Sequence, residues 1–522
     1  MTARSRLVLV LATAASAAAV AIAGCGGGGG GGSDDPAAAV PGDSSVFVEG
    51  TIRPEGELKS SLENLARTVA GISDPGKRIV EEIDSSLSDQ DTEKKLSYED
   101  DIEPWLGEKA GIFLERYDGE GFNGVGAVIQ TTDSGAAADF VKNAKEPGDT
   151  DGSYEGVDYS VDGNDDTVAG VADDFLVIAQ DKPTFKDVVD LSSGDSLDSN
   201  DDYSSTIADA PDGSIADVYV NIGGLIRQAG ATVDQSVLKF YESLGYDISN
   251  GTALASVVPS SDQVEVDVST DIGGTAVPTG DVAQLIGSFP AESFATLATP
   301  DFGVRLKQAI DQLDKVGIPP SVPPGALKST LAQTGIDLDK IAGSIGDLGA
   351  FAVGNDLGSL GGAVVVTTDD PQTASEAVKG IGSLLRRART QGFTPVSGNA
   401  PGFAFRSPEL GPKPLVVLAS GERIAIGYGV EPTERAVSTP SGNTLGDSKV
   451  FKAAADSLGG TDMTGFVDFG PLLELVKGLG VASDPSFAEA EPYIDKLDFL
   501  AFGADQEAER SVSKIILAFK QG

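Results

Sequence analysis

Gly126-Ala127-Val128-Ile129-Gln130-Thr131-Thr132-Asp133 is echoed by Gly362-Ala363-Val364-Val365-Val366-Thr367-Thr368-Asp369. Each stretch is a short apolar run ending in threonines and an acid, the pattern of a buried strand that feeds a helix cap. Other pairs recur in the same order: Leu106-Gly107-Glu108 with Ile345-Gly346-Asp347, Ser196-Leu197 with Thr444-Leu445, and Pro41-Gly42-Asp43-Ser44 with Pro290-Ala291-Glu292-Ser293. Tyr219-Val220-Asn221-Ile222-Gly223 pairs likewise with Phe466-Val467-Asp468-Phe469-Gly470. Self-similarity over such lengths predicts two tandem homologous units, 41–275 and 288–522.

Within a unit the periodicities place the elements. Val46–Thr51 alternates as a strand, and Leu58, Leu62, Leu65, Val69 and Ile72 form one face of an amphipathic helix. Asp74-Pro75 opens a second helix with Ile79 and Ile83 inward. Strands are expected at 110–116 and 125–131, then a helix from Asp133-Ser134 carrying Phe140 and Val141. A hairpin of 167–172 and 175–179 turns at Asp173-Asp174 before a Pro183-led helix with Val188, Val189 and Leu191. The second unit repeats this with 415–419, a turn at Ser420-Gly421, 424–428, and a helix near Pro432. Strands at 264–268 and 515–519 close the units, and the Pro-rich run 318–325 interrupts the second after a helix bearing Phe302, Leu306, Ile310 and Leu313. Hairpins separated by single helices predict an α+β fold, each unit a mainly antiparallel sheet with helices packed on one face.

The motifs Pro41-Gly42-Asp43, Trp105-Leu106-Gly107, Tyr154-Glu155-Gly156-Val157 and Asp174-Phe175-Leu176-Val177 resemble the family of bacterial secreted proteins called domain of unknown function 3352. The resemblance spans nearly all of the chain beyond its leader. In the second unit the place of Trp105 falls in the Gly343–Ile345 region, which has no tryptophan. The family name implies no activity.

At the N-terminus, Arg4 and Arg6 precede an apolar or small-residue run, Leu7 to Ile22, which reads as a secretory signal. The run is short for a spanning helix, which takes about 20 apolar residues, and it meets the glycines Gly26 to Gly32. Ile22, Ala23, Gly24 and Cys25 are similar to the bacterial lipobox. That resemblance implies cleavage after residue 24, lipid on the Cys25 thiol, and attachment to the extracytoplasmic face of the cell membrane by acyl chains. Residues 25–40 then form a glycine-rich tether. The alternative is a cleaved signal followed by an incidental cysteine. Cys25 is the only cysteine of the chain and stands where a lipobox needs it.

The 522 residues hold 37 Lys plus Arg against 80 Asp plus Glu, a net charge of −43. That balance argues against nucleic acid, whose binding runs on basic patches, and against attraction to anionic headgroups, so the anchor must do the holding. Hydrophobic residues at 40% and charged residues at 22% are ordinary globular usage, which argues for folded domains.

There is no histidine. Ser-His-Asp and Cys-His catalysis and the usual zinc sites are therefore excluded. Ser511-Val512-Ser513-Lys514 has the spacing of serine–lysine enzymes but runs into a strand pattern with no Lys-Thr-Gly box. Asp133-Ser134-Gly135 resembles an aspartic-protease loop, yet its partner position is Asp369-Asp370-Pro371, and strand ends with helix caps explain both. Asp162, Asn164 and Asp166, with Asp173 further on, imitate a calcium loop without its sixth-position glycine; a polar hairpin turn is the alternative. Asp198, Asn200, Asp201 and Asp202 form a second acidic cluster suited to a hard cation or to a solvated loop. Arg386-Arg387-Ala388-Arg389 is the one basic run, a docking patch or a helix C-terminus, and Trp105 lines a pocket or packs a turn.

No credible catalytic set emerges and no cofactor is implied. The residues favour a lipid-anchored extracytoplasmic protein that binds an envelope component or another protein. A second reading is a carrier of a lipid or other apolar ligand, with the Leu58–Ile72 helix face lining its cavity. A third is a carboxylate-based hydrolase, which needs two acids with separated pKa values in one cleft.

Overall fold

The computed structural model describes residues 35–88, 95–117, 121–191, 195–230, 238–239, 246–273, 280–316, 323–333, 337–396, 400–438, 442–481, 484–507 and 510–521. The lipobox residues Ile22, Ala23 and Gly24, with Cys25 and the glycine run of the tether, lie outside the described residues, as does most of the Pro-rich run. Residues 35–40, expected in the tether, instead form the helical turn Pro36–Ala39, and Ala37 and Val40 are buried in the core because they are apolar and pack beside Phe47 and Phe113. The chain divides into two compact units: one runs to Thr275 and includes Ala508–Val512 and Lys520–Gly522, and the other comprises Ala276–Glu507 and Ser513–Phe519.

In the first unit the strands are β1 Val46–Thr51, β2 Leu106–Tyr117, β3 Phe122–Thr131, β4 Thr150–Tyr154, β5 Val157–Val161, β6 Val168–Ala172, β7 Phe175–Ala179, β8 Ala216–Asn221, β9 Thr252–Pro259 and β10 Gln263–Asp271. They pair antiparallel throughout, in the order β4-β5-β6-β7-β3-β2-β1-β8-β9-β10. In the second unit they are β11 Ser293–Thr299, β12 Ile345–Val353, β13 Gly361–Thr368, β14 Phe393–Val396, β15 Gly402–Phe405, β16 Leu415–Ser420, β17 Arg423–Tyr428, β18 Met463–Asp468, β19 Leu497–Glu507 and β20 Arg510–Phe519. Their order is β14-β15-β16-β17-β13-β12-β11-β18-β19-β20. The second order is the first shifted by ten strands.

Small contacts recur with the strand order. Pro41 bridges Ser196 and Pro290 bridges Thr444. Leu197 N–H donates to the Val40 carbonyl and Leu445 N–H to the Phe289 carbonyl, each at 2.8 Å. The opening repeat, however, matches one residue later than its letters suggest. Thr131 N–H donates to Asp174 O at 2.8 Å and Thr368 N–H to Glu422 O at 2.9 Å, while Asp133 and Asp370 cap the next helices, Ser134–Asn143 and Pro371–Arg387. Thr131 therefore corresponds to Thr368, not Thr367. In a strand such a slip exchanges the faces.

The expectation of helices on one face is corrected. In the first unit Leu176 and Ile178 of β7 pack with Ile83, Leu87, Trp105 and Phe140, beneath the helices Pro75–Ser88 and Ser134–Asn143. Phe175, Val177 and Ala179 of the same strand pack on the other side with Phe113, Phe185 and Tyr203, beneath the helices Lys182–Val189 and Asp201–Ile207. The second unit does likewise: Val417, Ala419 and Ile424 meet Val378 of the helix Pro371–Arg387, while Val416, Leu418 and Ala425 meet Ala436 and Val437 of the helix Val430–Val437. The reason is burial. Every residue of β7 is buried, and each large apolar side chain removed from water contributes about 1.5–3 kcal/mol, so a strand apolar on both faces needs cover on both.

The helix predicted from Leu58 to Ile72 spans Gly56–Ala70. Its buried Leu62 packs with Ile215 and Ala216, with Leu58 against them. That face is core, not the lining of a cavity. Among the described residues no helix is long and apolar enough to cross a membrane.

Candidate functional site

A cleft of about 710 Å³ opens on the Phe113 side of the first unit's sheet. Six of its fifteen lining residues are acids: Asp43, Glu115, Asp187, Asp190, Asp195 and Asp202. Arg227 is the one basic residue among them. The acids reach it from separate elements. Asp43 precedes β1, Glu115 lies on β2, Asp187 and Asp190 stand at the end of the helix Lys182–Val189, and Asp195 and Asp202 flank the segment that leads into the helix Asp201–Ile207.

Local hydrogen bonds fix these walls. The Pro41–Ser196 bridge brings two loops together, with Gly42 N–H donating to Asp195 O at 2.9 Å and Asn200 Nδ2 to Gly42 O at 2.8 Å. A Cβ on Gly42 would lie 2.8 Å from that Asp195 oxygen, so the close approach requires glycine. Asn200 Oδ1 accepts from the backbone N–H groups of Asp202 and Tyr203, capping one helix. Asn221 caps the helix Ile222–Ala229 through Gly224 N–H at 2.6 Å. Asp190 accepts from the Tyr154 hydroxyl at 2.8 Å, and Arg227 is committed to the Ser249 carbonyl at 3.0 Å.

Glu115 is the anomaly of the site. Its side chain is 3% exposed; one oxygen, Oε1, meets Arg116 at 2.7 Å, and Arg116 reaches on to Asp187 at 3.5 Å. The other oxygen, Oε2, is buried with no hydrogen-bond partner among the described residues. The hydroxyl of Ser45, which adjoins the Val46–Leu114 register pair as Glu115 does, is buried and unpartnered too. Burial pushes the Glu115 carboxyl up to about 7 against the pull of Arg116, and the nearby Asp187, Asp43 and Asp181 push the same way. Gly124 accommodates it: its φ of +72° suits glycine, and a Cβ there would lie 2.5 Å from Oε2. Glu49, the other buried acid raised to about 7, pairs with Lys109 and, unlike Glu115, has no buried oxygen left unpartnered. A buried carboxylate oxygen without a partner is costly. Chemically, the cleft can hold positive charge and can give or take a proton near neutrality at one carboxyl.

The residues singled out in the sequence are placed as follows. Asp202 lines the cleft. Asp198 is beside it but accepts from the Ser196 and Ser199 hydroxyls. Asp162 is buried and accepts from Asn164 N–H at 2.8 Å, and Asp166 takes a φ of +61°, so this stretch is a turn into β6, with Asp173 in the next hairpin. Among the described residues no group of three His, Cys, Asp or Glu side chains is placed to share a metal ion. Ser511 and Lys514 lie on β20, not at a helix start. Arg386 and Arg387 end their helix, with Arg386 over the Phe393 ring. Trp105 is buried against Phe140 and donates to Asp101 O at 2.6 Å. Sequence reasoning missed Asp43, Glu115, Asp187, Asp190 and Asp195. The available signal was Glu115 itself, two residues from Phe113 and hence on the same strand face.

Three comparisons bear on the chain. The model of the family described as Protein of unknown function (DUF3352) matches residues 7–519. No curated protein matches. Two solved structures, crystal forms III and IV of TP0453, are similar over 47% and 46% of this chain and 82% and 81% of theirs, at 9% and 10% identity and a TM-score of 0.24 each. A likeness that slight carries no argument about fold or function.

Proposed function

The chain belongs to the family described as Protein of unknown function (DUF3352), and since that description names no activity, we propose from the chain's own residues a lipid-anchored extracytoplasmic protein that binds, without catalysis, through the acidic cleft of its first unit. The observation that carries the binding reading is Glu115, a buried carboxylate with an unpartnered oxygen in the wall of a cleft. The fold does not need it. Phe113 faces Phe47 as Phe351 faces Thr296, and two residues beyond them stand Glu115 in one unit and the buried Val353 in the other. The shared strand order and paired bridges support the units 41–275 and 288–522 as a duplicated pair. An acid with one buried oxygen unpartnered, standing where valine serves the fold in the other unit, is the mark of a functional residue.

Anchoring rests on Ile22, Ala23, Gly24 and Cys25 and is tested by Cys25→Ser. The parent is expected in the membrane fraction and the detergent phase, with the mass of a lipidated N-terminus, and the variant outside both. A variant that stays membrane-bound with unchanged mass overturns the anchor. Binding is tested by native mass spectrometry of the full-length chain extracted from its own membranes. A small-molecule adduct on the parent, absent from Glu115→Val, supports the cleft; identical spectra overturn it.

A second reading, an apolar-ligand carrier, is favoured by one observation in the second unit. Leu297, Ala350, Val364 and Ile426 lie in register across β11, β12, β13 and β17, and Leu297, Val364 and Ile426 are exposed. Lipid in an organic extract of the purified chain, lost on Val364→Asp, would support it; a lipid-free extract would not.

A further inference from the structure

This inference names the ligand class of the cleft and rests on the binding reading above. The negative charge of the cleft is spread along its walls, not gathered at a point. Six acids arrive from four separate stretches of the chain, and no three acidic side chains among the described residues are placed to share one metal ion. A single compact cation therefore has no preformed cage here. A ligand complementary to this surface carries several positive centres held apart by apolar spacers.

The partners already made narrow the choice. Arg116 takes one oxygen of Glu115 and reaches Asp187, Tyr154 holds Asp190, and Arg227 is turned to a backbone carbonyl. What lacks a partner in the cleft wall is Glu115 Oε2, a carboxylate oxygen that accepts, and the Ser45 hydroxyl across the β1–β2 pair, which can accept through its oxygen, is unpartnered too. A primary ammonium group presents three donors and no acceptor and suits that pair. The cleft volume of about 710 Å³ lies within the range of small-molecule sites, and Leu191 offers an apolar contact in the wall. We infer that the cleft binds a linear organic polyamine, with one terminal ammonium group received at Glu115 and the remaining cationic centres along the Asp187, Asp190 and Asp202 walls.

Isothermal titration calorimetry on the purified full-length chain tests this, with spermidine, calcium ion and the neutral trisaccharide maltotriose as probes. A chain of net charge −43 attracts any polycation to its surface, so two variants are compared. Glu115→Val removes the buried acid, and Asp139→Asn removes an acid 76% exposed on a helix outside the cleft. The expected result is one spermidine per chain, an affinity about tenfold or more weaker in Glu115→Val, and no change in Asp139→Asn. Spermidine binding weakened equally by both variants, or by neither, overturns the inference. Calcium or maltotriose binding that Glu115→Val abolishes, without spermidine binding, overturns the amine assignment but keeps the cleft as a binding site. Silence from all three probes overturns the ligand class and counts against the cleft as well.

Discussion

At the scale of the residue, the site turns on one carboxyl group. Burial holds Glu115 at about 7 against an ordinary 4.5. Between those values the folded chain keeps a proton that the unfolded chain has released. Stability therefore falls as pH rises through that window and stays low above it. Of the charged groups that act on Glu115, Asp187, Asp43 and Asp181 deepen the effect and Arg116 opposes it. Glu115→Val copies the second unit and removes the unpartnered acceptor, so at about pH 8 it is expected to stabilise the chain by about 1–3 kcal/mol. The gain should shrink toward about pH 5, near the lower edge of that window, where the folded chain holds Glu115 protonated and little of the penalty remains. Urea denaturation at both pH values checks this, and an equal difference at both would refute the buried-carboxyl account. The substitution that stabilises the chain is the one expected to weaken binding, as follows when a site is built at the expense of stability.

At the scale of the element, Asp133 and Asp370 do the same work in the two units. Asp133 accepts from Ala136 N–H and Asp370 from Thr373 N–H, each at 3.0 Å, and Asp370 also holds the Thr373 hydroxyl. Hydrogen bonds with Thr373 lower the Asp370 carboxyl below its ordinary range. Asp133→Ala and Asp370→Ala are each expected to cost about 0.5–2 kcal/mol, with Asp370→Ala the costlier because it strands a hydroxyl as well; thermal denaturation reads both, and a cost in only one would separate the two positions. These caps were legible in the letters because a cap is a local arrangement of neighbours in sequence. So were β1, which spans Val46–Thr51 as its alternation predicts, and the β6–β7 hairpin. The one-residue slip in the repeat was not legible. Strand register is set by partners far along the chain, and Thr131 is matched to Thr368 only by the turns each faces, at Asp174 and Glu422. The second cover of the sheet was missed for a related reason: an unbroken run such as Phe175–Ala179 signals burial on both faces, while the hairpins around it suggested an open one. The cleft was least legible, since its acids are brought together by long-range loop contacts such as Gly42 with Asp195.

At the scale of the whole molecule, the charge of −43 acts on stability and on binding with opposite sign. Like charges on a folded body repel one another more than on an expanded chain, so salt that screens them favours the fold. Raising sodium chloride from about 0.01 M to about 0.5 M shortens the screening length from about 30 Å to about 4 Å, and the melting temperature is expected to rise. The same screening weakens attraction between the cleft and a multiply charged amine, so spermidine affinity is expected to fall over the range in which stability climbs. Glu115 separates the two effects. It is buried and partly shielded from screening, so Glu115→Val should leave the salt slope of the melting temperature nearly unchanged while weakening the binding whose salt dependence is measured. Differential scanning calorimetry and titration across one salt series read both slopes. If the melting temperature and the affinity moved together with salt, surface charge would not be the common cause, and the acid excess would need a different role from screening and steering.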